Sequence, residues 1–209
     1  LAIVKRGLNI KNIGDNFILP NVNFENKTYS PDDVIRIGLA STDMLYFAAG
    51  KLNLPGAMFT ASHNPAEYNG IKLCLSGARP IGKESGLLTI EKLVREGVPV
   101  SMRPVGLESR KEMLKEYVDH LLTLVDLSNI RKLKIVVDAG NGMAGHTAPA
   151  VFERINSEVT EMYYELDGTF PNHEANPIDE ANLKDLMRDR KSTRLNSSHV
   201  ALSRMPSSA

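Results

Sequence analysis

The amino-acid sequence predicts an α/β fold, because short β-branched runs alternate with segments of helical period and Gly- or Pro-marked turns separate the two. The runs fall at residues 34–39, 57–60, 71–75, 133–137 and 159–166 of a 209-residue chain. With 42% hydrophobic and 24% charged residues, the chain can bury one large or two small cores.

Residues 1–33 are rich in Asn (Asn9, Asn12, Asn16, Asn21, Asn23, Asn26) and show no helical or strand period, so they stay unassigned. Val34-Ile35-Arg36-Ile37-Gly38-Leu39 suits a buried strand, and Ser41 a helix N-cap. Met44, Leu45, Phe47, Ala48 and Leu52 then keep one helical face until Pro55-Gly56. Ala57-Met58-Phe59-Thr60 reads as a short buried strand, the segment from Ala61 to Asn69 as a loop, and Ile71 to Leu75 as another strand. A helix is expected from Gly82 to Val94. A second is expected from Glu108 to Val125, where Leu114, Tyr117, Val118, Leu121, Leu122 and Val125 form an apolar stripe at helical spacing, the mark of a core-facing helix.

Ser128-Asn129-Ile130-Arg131-Lys132 is a polar connector, so the expected domains are 34–127 and 133–188 with 128–132 between them. The strand at 133–137, a Gly-rich turn, a helix near 147–155 and the strand at 159–166 open the second domain. Residues 189–209 break the rhythm. Residues 191–209 hold six serines and no sustained apolar face, and read as a foreign or disordered tail without functional meaning.

Lys plus Arg and Asp plus Glu number 25 each, which provides no global field for nucleic acid or an anionic membrane. Residues 188–209 carry five basic and one acidic side chain, so the body is mildly acidic. Cys74 is the single cysteine, which excludes an internal disulfide or a multi-thiolate zinc site and fits a reducing compartment. The first residues lack the basic and apolar regions of a signal peptide, and no apolar run approaches the roughly 20 residues that span a bilayer. A cytoplasmic protein is the expectation. Oligomeric state has no signature here.

The chemistry-bearing string is Thr60-Ala61-Ser62-His63-Asn64-Pro65, placed where a strand opens into a loop at a sheet edge. A hydroxyl beside an imidazole, with Lys72 nine residues beyond His63, supplies a nucleophile, a proton carrier and a cation. A phosphate on Ser62 would add roughly two negative charges that His63 and Lys72 could offset. Spacing alone also allows Ser62 to cap a turn whose shape Asn64-Pro65 sets.

The longer string TASHNPAEYNGIK, residues 60–72, closely resembles the active-site loop of the α-D-phosphohexomutases, the phosphomannomutase/phosphoglucomutase family. GLASTDMLYFA (38–48), KIVVDAGNGMAG (134–145) and ELDGTFPNHEANP (165–177) resemble further segments of that family. The resemblance implies an isomerase of carbohydrate metabolism that moves a phosphoryl group between C1 and C6 of a hexose phosphate through a phosphoserine and a bisphosphorylated intermediate. By position it makes Ser62 the phosphoserine, His63 its active-site neighbour and Lys72 the lysine assisting proton transfer or phosphate binding. Thr60 and Asn64 join the phosphate loop, and Asn64, Tyr68, Asn69 and Gly70 shape it. It further implies Mg²⁺, reached through the phosphate of Ser62, and hexose 1,6-bisphosphate as activator.

The family has four domains, and the expectation is the latter part of the first and the start of the second. It holds Mg²⁺ with a D-G-D-x-D-R loop, and no D-x-D-x-D occurs in these 209 residues. The family's early Arg-bearing segment has only a superficial echo in Arg6-Gly7. This chain alone is therefore expected to be inactive, and the residues distinguishing mannose from glucose phosphates are not among those matched.

Two other readings stand beside this one. Gly140-Asn141-Gly142-Met143-Ala144-Gly145 is a literal G-x-G-x-x-G after a strand, with Asp167 further on where an acidic residue could meet a ribose, so a nucleotide-binding protein is an alternative. A non-catalytic remnant that binds sugar phosphate weakly or does nothing is the other. His63, His146 and His173 lie in separate segments without ligand spacing, and no zinc site is expected.

Overall fold

A computed structural model describes residues 2–4, 22–24, 27–29, 33–60, 70–97, 106–176 and 179–192, with backbone alone at the first three stretches and at 189–192. Contacts divide the chain into two compact units, Leu1–Phe59 with Ile71–Met113, and Thr60–Gly70 with Leu114–Ala209.

In the first unit the strands are β1 (Ala2–Val4), β2 (Val22–Phe24), β3 (Lys27–Tyr29), β4 (Val34–Arg36), β5 (Gly56–Phe59), β6 (Ile71–Leu75), β7 (Arg79–Pro80) and β8 (Glu108–Arg110). Six of them form a sheet in the order β7-β6-β5-β1-β4-β8, parallel from β5 to β8 and antiparallel at β5-β6 and β6-β7. β2 and β3 pair separately as an antiparallel ribbon. Among the described residues, the unassigned stretch 1–33 thus contributes three strands where the sequence reading placed none, and β1 lies between β4 and β5.

Helix α1 (Thr42–Leu52) starts as expected at Ser41, whose Oγ accepts from the Met44 amide at 3.4 Å. Asp43 in its first turn and Lys51 in its last complement the helix dipole, and Asn53 ends it in the left-handed region at φ 51°. Met44, Leu45, Ala48, Ala49 and Leu52 are buried, and together with Ile35, Ile37, Ala57, Met58 and Cys74 they belong to the core. A side chain at Gly56 would crowd that core. A Cβ on Gly56 would stand 3.0 Å from both Cys74 Sγ and Leu45 Cδ1.

The helix expected at 82–94 is broken at its start: residues Lys83–Leu87 form a wide π-type turn with Gly86 at φ 156°, and α2 spans Leu88–Glu96. None of the α2 residues is fully buried, and Glu91–Arg95 at 2.8 Å is an exposed i,i+4 pair.

The expected helix at 108–125 also needs correction, because residues 108–110 are β8 and α3 spans Leu114–Thr123. Glu108, Ser109 and Arg110 are all exposed and have no apolar face; the pairing with β4 and a 2.6 Å hydrogen bond from Arg36 to Glu108 hold them extended. Within the apolar stripe Tyr117 and Val118 are buried, whereas Val125 lies past the helix end and is exposed.

The second unit contains α3, β9 (Leu133–Asp138), α4 (Ala144–Phe152), β10 (Ser157–Met162) and α5 (Lys184–Ser192). β9 and β10 pair in parallel from Leu133↔Ser157 to Asp138↔Met162, so β9-α4-β10 is a βαβ unit. Arg154, just past α4, reaches Asp119 of α3 at 3.0 Å. The unit division at Met113/Leu114 accordingly moves α3 from the first expected domain to the second, and the 128–132 connector lies within the second unit.

Candidate functional site

β4 and β5 run parallel on either side of β1, so their C-terminal ends share one edge of the sheet. β4 leads there to Gly38 and the start of α1, and β5 leads to Thr60 and the loop at 61–69. That carboxyl edge is where α/β sheets bind ligands. Ser62, His63 and Asn64, like Tyr68 and Asn69, lie outside the described residues, as do the tail from residue 193 and Arg6-Gly7; the residues that flank 61–69 in the chain, Thr60 and Gly70, are described.

The loop is tied at its base. The Thr60 amide donates to the Gly70 carbonyl at 3.0 Å. A Cβ on Gly70 would stand 2.7 Å from the Thr60 carbonyl oxygen, so only glycine permits this approach. Beyond Gly70 the chain enters β6, where Ile71 pairs with Phe59 and Lys72 with Met58.

Strand alternation puts Lys72 on the same sheet face as Cys74 and Met58, the face that α1 covers. Met58 Sδ accepts from Thr42 Oγ1 at 3.6 Å, which brings the first residue of α1 against the strand pair. Lys72 is half-buried. A cation and the positive end of an eleven-residue helix therefore occur on one face at this sheet edge, which favours an anion.

The G-x-G-x-x-G turn uses its glycines for itself. Gly140 and Asn141 take left-handed φ values of 51° and 57°. The Gly140 amide donates to Asp138 Oδ1 at 2.9 Å, Asn141 to the Tyr163 carbonyl at 2.8 Å, Gly142 to the Ala139 carbonyl at 2.8 Å and Gly145 to the Gly142 carbonyl at 3.0 Å. Those four amides are spent inside the protein and cannot cradle a pyrophosphate, as a dinucleotide-binding turn would. Asp167 binds its own loop, accepting from Thr169 Oγ1 at 2.7 Å, in place of a ribose. Gly145 serves packing, since a Cβ on it would stand 2.1 Å from the Tyr164 carbonyl oxygen.

Sequence reasoning missed the centre of this turn. His173 Nε2 lies 3.1 Å from Asp138 Oδ1, and Asn172 Nδ2 donates to Asn141 Oδ1 at 2.8 Å. The segment ELDGTFPNHEANP carries both partners, but nothing in its spacing points back 35 residues to Asp138.

Among the described residues no three His, Cys, Asp or Glu side chains are grouped to hold a metal. Together with the absence of three alternating aspartates from the sequence, this donor set does not fit a Mg²⁺ site of the expected kind. Among the described residues, likewise, no helix is long and apolar enough to cross a membrane.

Residues 32–98 match the family model described as phosphoglucomutase/phosphomannomutase, alpha/beta/alpha domain I, and residues 115–202 match that for domain II. The second match runs into the stretch from 189 that was expected to be a tail. A phosphomannomutase of Escherichia coli is 43% identical over 155 residues, which cover 70% of this chain and 34% of that protein. A phosphoglucomutase of Neisseria meningitidis is 37% identical over 155 residues, covering 74% and 33%. Among solved structures, a phosphoglucomutase/phosphomannomutase family protein of Burkholderia thailandensis superposes with a TM-score of 0.62 at 32% identity, over 78% of this chain and 36% of that one. The chain thus spans about a third of the length of the curated relatives it matches.

Proposed function

Because the chain belongs to the phosphoglucomutase/phosphomannomutase family, with the α/β/α domains I and II in order, we propose that it carries the phosphoryl-transfer serine of a hexose-phosphate mutase at Ser62. What supports this reading is the string TASHNPAEYNGIK together with the described residues at its two ends. At its two ends the Thr60 amide donates to the Gly70 carbonyl at 3.0 Å, and Lys72 pairs with Met58, whose Sδ accepts from Thr42 at the start of α1.

In the proposed reaction a phosphate esterified to Ser62 Oγ is attacked by a hydroxyl of a hexose monophosphate. The bond from phosphorus to Ser62 Oγ breaks, a bond to the sugar oxygen forms, and the hydroxyl proton leaves to a base for which His63 is the candidate. The bisphosphorylated sugar then turns over, and Ser62 Oγ recovers its phosphate from the other position. Lys72 contributes fixed positive charge that stabilises the phosphoryl group in both directions. Thr60 and Asn64 hold the loop that presents Ser62.

The substrate class is a hexose phosphate, with hexose 1,6-bisphosphate as the phosphate donor that primes Ser62. The family reading adds Mg²⁺, but the donor set of these 209 residues does not fit it, and no step is assigned to the ion. Phosphate acceptance at Ser62 without turnover is the activity proposed for this chain. Incubation with radiolabelled glucose 1,6-bisphosphate tests it: acid-stable label on the wild type and none on Ser62→Ala supports the assignment, and equal label on both contradicts it.

A further inference from the structure

The second unit holds a histidine whose two ring nitrogens both face acceptors. His173 Nδ1 lies 2.9 Å from the Glu174 carbonyl oxygen, and Nε2 lies 3.1 and 3.2 Å from Asp138 Oδ1 and Oδ2. A carbonyl and an ionised carboxylate only accept, so both contacts are hydrogen bonds only when the ring carries both protons. Either neutral tautomer would turn a nitrogen lone pair onto an oxygen at these distances.

The ring is held from several sides. It packs on Gly140, where a Cβ would stand 3.1 Å from its Cε1, and its Nε2 meets the carboxylate that also accepts from the Gly140 amide. The Tyr163 ring meets it edge-on at 5.5 Å and 72°. Tyr163 in turn donates from its hydroxyl to Asp185 Oδ2 at 2.7 Å, and Asp185 pairs with Arg188 at 2.9 Å.

The ionisable groups around the imidazole are thus Asp138 at the end of β9, Tyr163 after β10, and Asp185 and Arg188 on α5. Its own loop presents the Glu174 carbonyl. Two carboxylates stand against one guanidinium, which is already paired with the farther of them, so the surroundings favour a cation. Burial by itself pushes the imidazole down. The Glu174 carbonyl, the Asp138 carboxylate and the charge of Asp185 together outweigh it and hold the group above its ordinary 6.5.

We propose that His173 is a proton-operated latch, which as an imidazolium fastens the 165–176 loop to the end of β9 and the Gly140 turn and releases that loop when it loses a proton. The folded state binds this proton more tightly than the unfolded chain does. The latch therefore contributes fully below the ordinary imidazole value and weakens as pH rises through the raised folded value. The loop has a direct reporter in the Asp167 amide, which donates to the Asn141 carbonyl at 3.1 Å.

Nitrogen-15 NMR of the imidazoles in the intact 209-residue chain, from about pH 5 to pH 9, reads the ring directly, and amide hydrogen exchange reads the loop. The expected result is a His173 that carries protons on both nitrogens at neutral pH and titrates above the ordinary imidazole value. Exchange at the Asp167 and Phe170 amides should accelerate through that titration by up to about tenfold per pH unit beyond the intrinsic base-catalysed rate. His173→Gln should abolish the extra acceleration. A His173 that is neutral at pH 7, or loop exchange that follows only the intrinsic rate in the wild type, would overturn the proposal whether or not the variant folds.

Discussion

The Thr60 amide donates to the Gly70 carbonyl at 3.0 Å, joining the two ends of the segment that contains Ser62. The contact depends on the missing side chain of Gly70, because any Cβ there would stand 2.7 Å from the Thr60 carbonyl oxygen, a backbone atom that cannot swing aside. Gly70→Ala should therefore open the base of the loop at a cost of about 1–3 kcal/mol. Urea denaturation measures the loss, and phosphate acceptance by Ser62 should fall with it; unchanged stability together with unchanged labelling would show that the tie does not shape the loop.

The first unit rests on α1. Leu45 is fully buried and lies against the position where Gly56 admits it, so Leu45→Ala should cost about 2–5 kcal/mol by lost burial and the cavity left behind. The urea midpoint should drop with little change in slope. A loss under about 0.5 kcal/mol, the range typical of surface positions, would mean that α1 does not pack as described.

Asp138→Asn removes the charge that faces His173 while keeping the shape of the side chain. The imidazole value should fall toward the ordinary range, so stability near pH 6 should drop in the variant more than stability near pH 9, where the wild-type latch has already weakened. Thermal melts at the two pH values make the comparison. Equal losses at both would assign the effect to packing rather than to the proton.

Much of the fold was legible because local chemistry dictates it. Ser41 announces α1, and Ile71 to Leu75 is β6 residue for residue, whereas the stop read at Pro55-Gly56 comes earlier, at Asn53, and Gly56 already belongs to β5. What escaped was set by partners distant in sequence. Ala2-Ile3-Val4 is too short to show a period, and becomes β1 only because β4 and β5 flank it. Glu108-Ser109-Arg110 is a wholly exposed strand whose conformation comes from β4 and Arg36, so the apolar stripe that follows it was extended too far back. The loop at 60–72 was found as a string of residue types, whereas the Asp138–His173 pair requires a turn and a later loop to meet. The family assignment drawn from TASHNPAEYNGIK agrees with the matches to domains I and II.

These 209 residues contain no run of alternating aspartates. Calorimetric titration should accordingly show Mg²⁺ binding no tighter than millimolar, and conversion of mannose 1-phosphate to mannose 6-phosphate with bisphosphate present should be negligible, because full turnover needs two successive transfers with the bisphosphorylated sugar held and reoriented between them, whereas acceptance at Ser62 is one stoichiometric transfer that can be slow. Micromolar affinity, or turnover near one per second, on the scale of a working kinase, would contradict this reading.

The central claim is that Ser62 accepts the phosphoryl group, and a single peptide decides it. Cleavage after Lys51 and Lys72 releases residues 52–72, in which Thr60, Ser62 and Tyr68 are the only hydroxyl-bearing side chains. After incubation with glucose 1,6-bisphosphate, tandem mass spectrometry should place one phosphate on Ser62 and none on the other two. A phosphate on Thr60 or Tyr68, or a peptide that stays unmodified while label appears elsewhere in the chain, would contradict the account.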